Sequence, residues 1–186
     1  MAARVPVPLR RRRIDLLFLV FLVINLGFVT YIIDLEQIVI ADPAHFTYPA
    51  WPPAPLVDLV HWYGNTFDPL LMARPPFFRM TIWIDVIFFG PFYAAAIYAF
   101  VRGRDWIRVP ALVWAGTMTA NVLIILMDER YGVTPAPRFG IVLLFNLPWL
   151  LTPLAMIARM WRDHPFTESA PEPASPSASA PAEAAA

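Results

Sequence analysis

Cysteine and lysine are missing from this 186-residue chain, and only 15% of its residues are charged. The absence of cysteine excludes disulfides, thiolate metal sites and cysteine nucleophiles. The fourteen basic and fourteen acidic residues cancel, which argues against a nucleic-acid partner. The sequence has no Gly-rich phosphate loop and no HExxH motif, and His45 and His61 lack the spacing of metal ligands. We therefore expect neither a metal site nor a cofactor.

Apolar residues dominate the composition instead. They make up 59% of the chain, and the mean hydropathy is +0.56. Soluble domains contain about half apolar and about a quarter charged residues, so this composition predicts an integral membrane protein. All basic residues are arginine, and Ala and Pro are frequent, a usage typical of GC-rich genomes. That usage indicates a bacterial cytoplasmic membrane; in a eukaryotic cell the expected location is a membrane of the endoplasmic-reticulum type.

Four apolar runs each have about the twenty residues that a membrane-spanning helix requires. The first run follows four consecutive arginines, Arg10 to Arg13, and the third and fourth end at the charged stretches DER and RMWRD. The predicted fold is therefore an all-α integral membrane domain, a bundle of four transmembrane helices. The predicted spans are residues 14–33, 79–101, 109–127 and 139–161.

The arginines are distributed unevenly between the two sides of these spans. Four lie on the side opposite the termini, namely Arg74, Arg79, Arg130 and Arg138, and the other ten of the fourteen lie on the side that holds both termini. Short loops rich in arginine stay in the cytoplasm during insertion. The distribution therefore predicts that both termini are cytoplasmic.

The segments outside the spans are predicted from their composition. Residues 1–13 form a basic cytoplasmic N-terminus. Between the first two spans, Leu56, Leu59, Val60 and Tyr63 recur at helical spacing, which predicts a short amphipathic helix at the outer surface. Residues 164–186 are rich in Pro, Ala and Ser and have little to bury, so we expect a disordered tail.

Asp85 is an acid inside the second span. A central Asp disfavours insertion by about 2.5–3.5 kcal/mol, which the surrounding Ile, Phe and Val residues offset. An acid retained there usually faces the protein interior and marks a site, although a hydrogen bond to a neighbouring helix is the alternative. Helical spacing places Phe88, Phe89 and Phe92 on the same face, so we expect an aromatic wall beside the acid.

Asp34 lies at the end of the first span. Thr30, four positions earlier, shares its helix face, whereas Asn25, nine positions earlier, points the other way. Two interpretations of Asp34 stay open. Either it meets Asp85 across the contact between the first two helices and shares a proton with it, or it only marks where the helix reaches water.

The third and fourth spans carry polar pairs of their own. Thr117 and Asn121 share a face at i,i+4, and Asn146 and Trp149 share one at i,i+3. Hydrogen bonds between membrane helices account for such residues as readily as ligand contacts do. Both interpretations stay open at this point.

Five stretches occur together in an order and spacing that resemble one family. They are VTYIIDLEQIV, WYGNTFDPLL followed by RPPFF, DVIFFGPFYAAAIYAFVRGRDWIRVPA, TMTANVLI and PWLLTPL. The resemblance is to the EXPERA family, which groups the emopamil-binding protein, a sterol isomerase, with the sigma-2 receptor. It covers about residues 14–161, is stronger toward the receptor branch, and implies a membrane domain of four helices.

The resemblance also implies roles for individual residues. In the receptor branch, the acid that matches Asp34 pairs with the cationic amine of ligands, and the acid that matches Asp68 supports it. Asp85 stands where that branch has glutamate, and Trp149 stands where it has tyrosine. Thr117 matches the first threonine of the shared TMT run.

These observations together predict a ligand pocket between the helices, reached from the bilayer and walled by aromatic side chains. A sterol-like or otherwise polycyclic lipid would fill it, with a hydroxyl or amine at the acids. The predicted ligand-binding residues are Asp34, Asp68, Asp85, Thr30, Tyr63, Phe88, Phe89, Phe92, Thr117, Asn121 and Trp149.

Two functions fit such a pocket, and a third requires no pocket. The first is binding of sterol-like or cationic amphiphilic lipids. The second is a double-bond isomerase in which Asp34 and Asp85 transfer protons; the isomerase branch has histidine where this chain has Thr30, which favours binding. The third is a structural membrane subunit, in which Gly90 and Ala94 pack a helix pair or a homodimer.

Overall fold

The computed structural model describes residues 4–170 of the chain. It confirms the predicted fold class, because four of its helices are long and apolar enough to span a membrane. Two short helices lie between the first two of these, and a short strand lies near each end of the described range. The elements are β1 (Arg4–Pro6), α1 (Ile14–Val39), α2 (Ala54–Thr66), α3 (Leu70–Ala73), α4 (Pro76–Arg102), α5 (Asp105–Tyr131), α6 (Phe139–Arg159) and β2 (Thr167–Ser169).

Helix α1 continues six residues beyond the predicted end of the first span, to Val39. The interpretation that Asp34 marks the helix end is therefore wrong. A buried ion pair holds this extension in place. Glu36 is fully buried and pairs with Arg74, which follows α3.

Two of the spanning helices contain a π-helical segment, in which hydrogen bonds run from residue i to i+5. In α1 the segment is Asn25–Asp34, and in α4 it is Asp85–Phe89. The two segments pack against each other inside the bundle. Such segments are rare and occur frequently at functional sites.

Gly90 allows α1 and α4 to approach closely just beyond these segments. A Cβ atom at Gly90 would lie 2.7 Å from the Tyr31 hydroxyl oxygen and 3.2 Å from Cγ2 of Thr30. The small residue therefore serves a helix pair within the chain.

The short helix predicted between the first two spans is present as α2, and its location at the outer surface stays a prediction. Val57 and Val60 are buried against the bundle, while Leu59 and Trp62 are exposed on the flank of the helix. Pro53 precedes the helix in an extended conformation and Pro55 lies in its first turn, where proline is well tolerated.

The two ends of the described chain meet at one end of the bundle. Strands β1 and β2 pair antiparallel, with Val5 opposite Glu168. Both ends of the described range therefore lie on the same side, as an even number of spans requires. Their predicted placement in the cytoplasm stays a prediction.

The predicted disorder is wrong for the first part of the tail. Phe166 is fully buried, and the guanidinium groups of Arg12 and Arg159 lie 4.8 and 4.9 Å from the centre of its ring. The backbone N–H of Phe166 donates a 2.7 Å hydrogen bond to Asp105. A single aromatic residue in a Pro- and Ser-rich stretch anchors the segment, which composition does not reveal. Residues 171–186 lie outside the described residues.

Candidate functional site

A cavity of about 520 Å³ lies among α1, α4, α5 and α6, beneath α2. Its size falls within the range of about 300–1,000 Å³ typical of small-molecule sites. Most of its wall is aliphatic or aromatic. The polar or partly polar residues that line it are Asp34, Gln37, Trp62, Tyr63, Thr81, Asp85, Asn121, Asn146 and Trp149.

Asp34 and Asp85 form an acid pair in the wall of this cavity. Asp34 is 7% exposed and Asp85 9%, and the two carboxyl groups contact each other. The hydroxyl of Thr30 donates a 2.5 Å hydrogen bond to Oδ1 of Asp85. The acid pair therefore joins α1 to α4. This agrees with the first interpretation of Asp34, in which it meets Asp85 across the contact between the first two spanning helices.

The π-helical segments decide which neighbours of the acid pair face inward. More residues fill each turn than in an α-helix. In α4, Phe89 at i+4 from Asp85 lines the cavity, whereas Phe88 at i+3 is turned outward and 65% exposed. The prediction that Phe88 lines the site is therefore wrong.

Asn25 differs from its prediction for the same reason. Nine positions come close to two turns of a π-helix, so Asn25 faces the bundle interior with Asp34 and is 1% exposed. Its Oδ1 accepts a 2.7 Å hydrogen bond from the indole N–H of Trp149. Asn25 thereby fixes the orientation of an aromatic side chain in the cavity wall.

The remaining predicted residues divide into those that line the cavity and those that do not. Tyr63, Asn121 and Trp149 line it together with the acid pair. Phe92 instead stacks on Trp114 in the core, with ring centres 5.3 Å apart. Thr117 donates its hydroxyl to the Val113 carbonyl of its own helix.

Asp68 lies outside the cavity lining and forms a second acid pair, with Glu129 of α5. Burial raises the pKa of the Asp68 carboxyl, while contacts with Glu129 and with the backbone N–H groups of Leu71 and Leu70 oppose the shift. Burial, reinforced by the charges of Asp68 and Glu129, also raises the pKa of the Tyr63 hydroxyl, which lies between this pair and the cavity.

Sequence reasoning missed the buried ion pair beside the end of the cavity that α2 covers. The carboxylate of Glu36 accepts hydrogen bonds of 2.9 and 2.8 Å from Arg74 and lies 2.8 Å from Nε2 of His61. These contacts fix the end of α1 to α2 and to the turn after α3. Within residues 4–170, no group of three acidic or histidine side chains is arranged to hold a metal ion.

Comparison with known proteins agrees with this architecture. The family model described as EXPERA (EXPanded EBP superfamily) matches residues 55–160, which include Asp68, Asp85 and Trp149. Sigma intracellular receptor 2 of Xenopus tropicalis is 31% identical over 144 residues, covering 71% of this chain and 79% of the relative. The receptor of the same name from Macaca fascicularis is 30% identical over 124 residues, covering 64% of each chain.

The human receptor of that name is 37% identical over 76 residues, which cover 39% of this chain and 43% of the relative. The family match, the identity to these relatives and the four apolar helices identify an integral membrane protein. The chain belongs to the EXPERA family.

Proposed function

We propose that the chain binds sterol-like or cationic amphiphilic lipids, with the amine or hydroxyl of the ligand held at Asp34 and Asp85. The observation that carries this proposal is the meeting of two carboxyl groups from different helices in a mostly apolar cavity. The relatives named sigma intracellular receptor 2 support a role in binding small molecules.

The chemistry of the acid pair suits a cationic group. Two adjacent carboxyl groups in a dry site repel each other when both are ionised. An ammonium ion supplies the missing positive charge and donates a hydrogen bond to the pair. The apolar wall then accommodates the hydrocarbon body of an amphiphile, and that burial supplies further affinity.

The exposed members of the cavity wall indicate a route from the bilayer. Ile24 and Phe28 of α1 and Phe145 of α6 line the cavity and are 50%, 38% and 57% exposed on the flank of the bundle. An apolar opening at this position faces lipid rather than water. A lipid-soluble ligand would therefore enter sideways, between α1 and α6.

The test is the affinity of the full chain, in nanodiscs, for an amine carried on a cholestane skeleton. Asp34→Asn and Asp85→Asn should each weaken binding strongly, because loss of one partner of a buried charge pair costs about 2–5 kcal/mol. Asp58→Asn is the matched control, since Asp58 is an exposed acid of α2 outside the lining. Unchanged affinity in both acid variants would contradict the proposal.

The isomerase alternative is supported by Trp149, whose ring lies in the cavity wall and is held by Asn25. An indole face can stabilise a carbocation formed when an acid protonates an alkene. Incubating the protein with a sterol alkene in deuterated water separates the two functions. A shifted double bond with incorporated deuterium would establish catalysis, and recovery of the unchanged alkene would leave binding alone.

A further inference from the structure

Gln37 is a buried amide in the same cavity, one helical turn beyond Asp34. It is 3% exposed, and its side chain lines the cavity. Its Nε2 group donates a 3.3 Å hydrogen bond to the Ile33 carbonyl oxygen. Its Oε1 atom is buried and has no hydrogen-bond partner among the described residues.

The backbone sets the orientation of this amide. Rotating it by half a turn would place Oε1 against the Ile33 carbonyl, so that two acceptors would face each other without a hydrogen atom between them. The nitrogen therefore stays on Ile33, and Oε1 remains the open group. Buried polar atoms almost always have a partner, so an open acceptor in a ligand cavity indicates a donor that arrives with the ligand.

The positions of Asp34 and Gln37 specify how many donors the ligand needs. Residues three apart on a helix are neighbours on one face. Asp34 and Gln37 both line the cavity, so the carboxyl of Asp34 and the carbonyl oxygen of Gln37 are neighbouring acceptors on this face of α1. A primary or secondary ammonium has at least two N–H donors, whereas a tertiary ammonium or a hydroxyl has one.

We propose that Gln37 is a specificity-determining residue that makes the cavity prefer primary and secondary ammonium ligands to tertiary ammonium ligands of the same skeleton. This inference rests on the proposed function, because it requires the ammonium to lie at Asp34. It adds a second anchor, and with it a substrate class, to that site.

The test compares two probes that differ only in one N–H group, the methylamino and dimethylamino derivatives of cholestane. Affinities are measured for the wild-type chain and for Gln37→Met, which keeps an unbranched side chain of similar length but removes the acceptor. The ratio of the two affinities should fall about tenfold in Gln37→Met, the effect of one hydrogen bond to a charged donor. Comparing ratios cancels the intrinsic difference in basicity and hydrophobicity between the probes.

Gln37→Glu is the second variant: when protonated, it can donate its O–H to the Ile33 carbonyl and keep a C=O acceptor, so it should retain the preference for the methylamino probe. An unchanged ratio of the two affinities in Gln37→Met would overturn the inference. If both affinities also stay at their wild-type values, water satisfies Oε1; if both fall by the same factor, Gln37 only packs. Asp34→Asn separates this failure from failure of the proposed function. If Asp34→Asn weakens the binding of both probes while Gln37→Met leaves the ratio of their affinities unchanged, only the inference about Gln37 fails.

Discussion

The hydroxyl of Thr30 donates a 2.5 Å hydrogen bond to Asp85 and thereby connects the π-helical segments of α1 and α4. The bond involves Oδ1 of Asp85, and Asp85 lines the cavity together with Asp34. Thr30 is therefore a neutral hydrogen-bond donor with a fixed partner. The family resemblance implies histidine at this position in the isomerase branch.

Thr30→Val should weaken both the fold and the site. The substitution preserves the branched shape but leaves a buried carboxylate oxygen without its donor, which costs about 1–3 kcal/mol. We expect a lower thermal midpoint and weaker amine binding, and Thr30→Ser should restore both because it keeps the hydroxyl. Wild-type stability in Thr30→Val would show that the hydrogen bond contributes nothing.

The buried pair of Glu36 and Arg74 should show strong coupling. Glu36→Gln leaves the guanidinium of Arg74, which is 5% exposed, without a countercharge, and such a loss costs about 3–5 kcal/mol. Arg74→Met should cost a similar amount. The double variant removes both charges, so a double-mutant cycle in thermal or chemical unfolding should recover much of the loss; additive losses would argue against the pairing.

Much of the fold could be predicted because hydropathy and length determine which segments span a membrane. The spans and α2 were predicted close to their observed positions. The end of α1 was not predicted correctly, because the sequence alone does not show that Glu36 is buried beside Arg74. Phe166 was missed for a similar reason, because its partners Arg12 and Arg159 lie far from it in sequence.

The candidate site could be predicted only in part. The family resemblance and the cost of an intramembrane acid both pointed to Asp34 and Asp85. The directions in which Phe88 and Asn25 point could not be predicted, because α-helical spacing was assumed where the backbone is π-helical. No residue type in these segments indicates a π-helix. Gln37 was missed because an unpartnered acceptor becomes visible only once every neighbour has a position.

Phe166 should be required for the stability of the end of the bundle that holds both termini. Phe166→Ala removes a fully buried ring between two arginines, and phenylalanine-to-alanine changes in cores cost about 3–5 kcal/mol. Glu168→Ala, at an exposed position of β2, is the control and should be neutral. Truncation after Ala170 should also leave the thermal midpoint unchanged, because the sequence removed has no apolar run to bury; a midpoint that falls as far as in Phe166→Ala would refute this.

Asp68 should make the stability of the protein depend on pH in a predictable direction. Its carboxyl is 6% exposed, and Oδ1 has no hydrogen-bond partner among the described residues. Burial raises the pKa of this carboxyl above its ordinary value of 3.8. The folded state therefore holds a proton that the unfolded state releases as the pH rises above about 3.8.

It follows that the contribution of Asp68 to stability is fully present below that pH and is lost as the pH rises through the raised pKa of the folded state. Asp68→Asn cannot ionise and keeps the shape of the side chain, so its thermal midpoint should fall less than that of the wild type over the same rise in pH. Glu129 and Tyr63 face Asp68 in both proteins, and Asp58→Asn, an exposed acid, controls for the change in net charge. The measurement is the midpoint against pH for the three proteins. Parallel curves for wild type and Asp68→Asn would mean that Asp68 ionises as readily in the folded chain as in the unfolded one, and the predicted pH dependence would then be wrong.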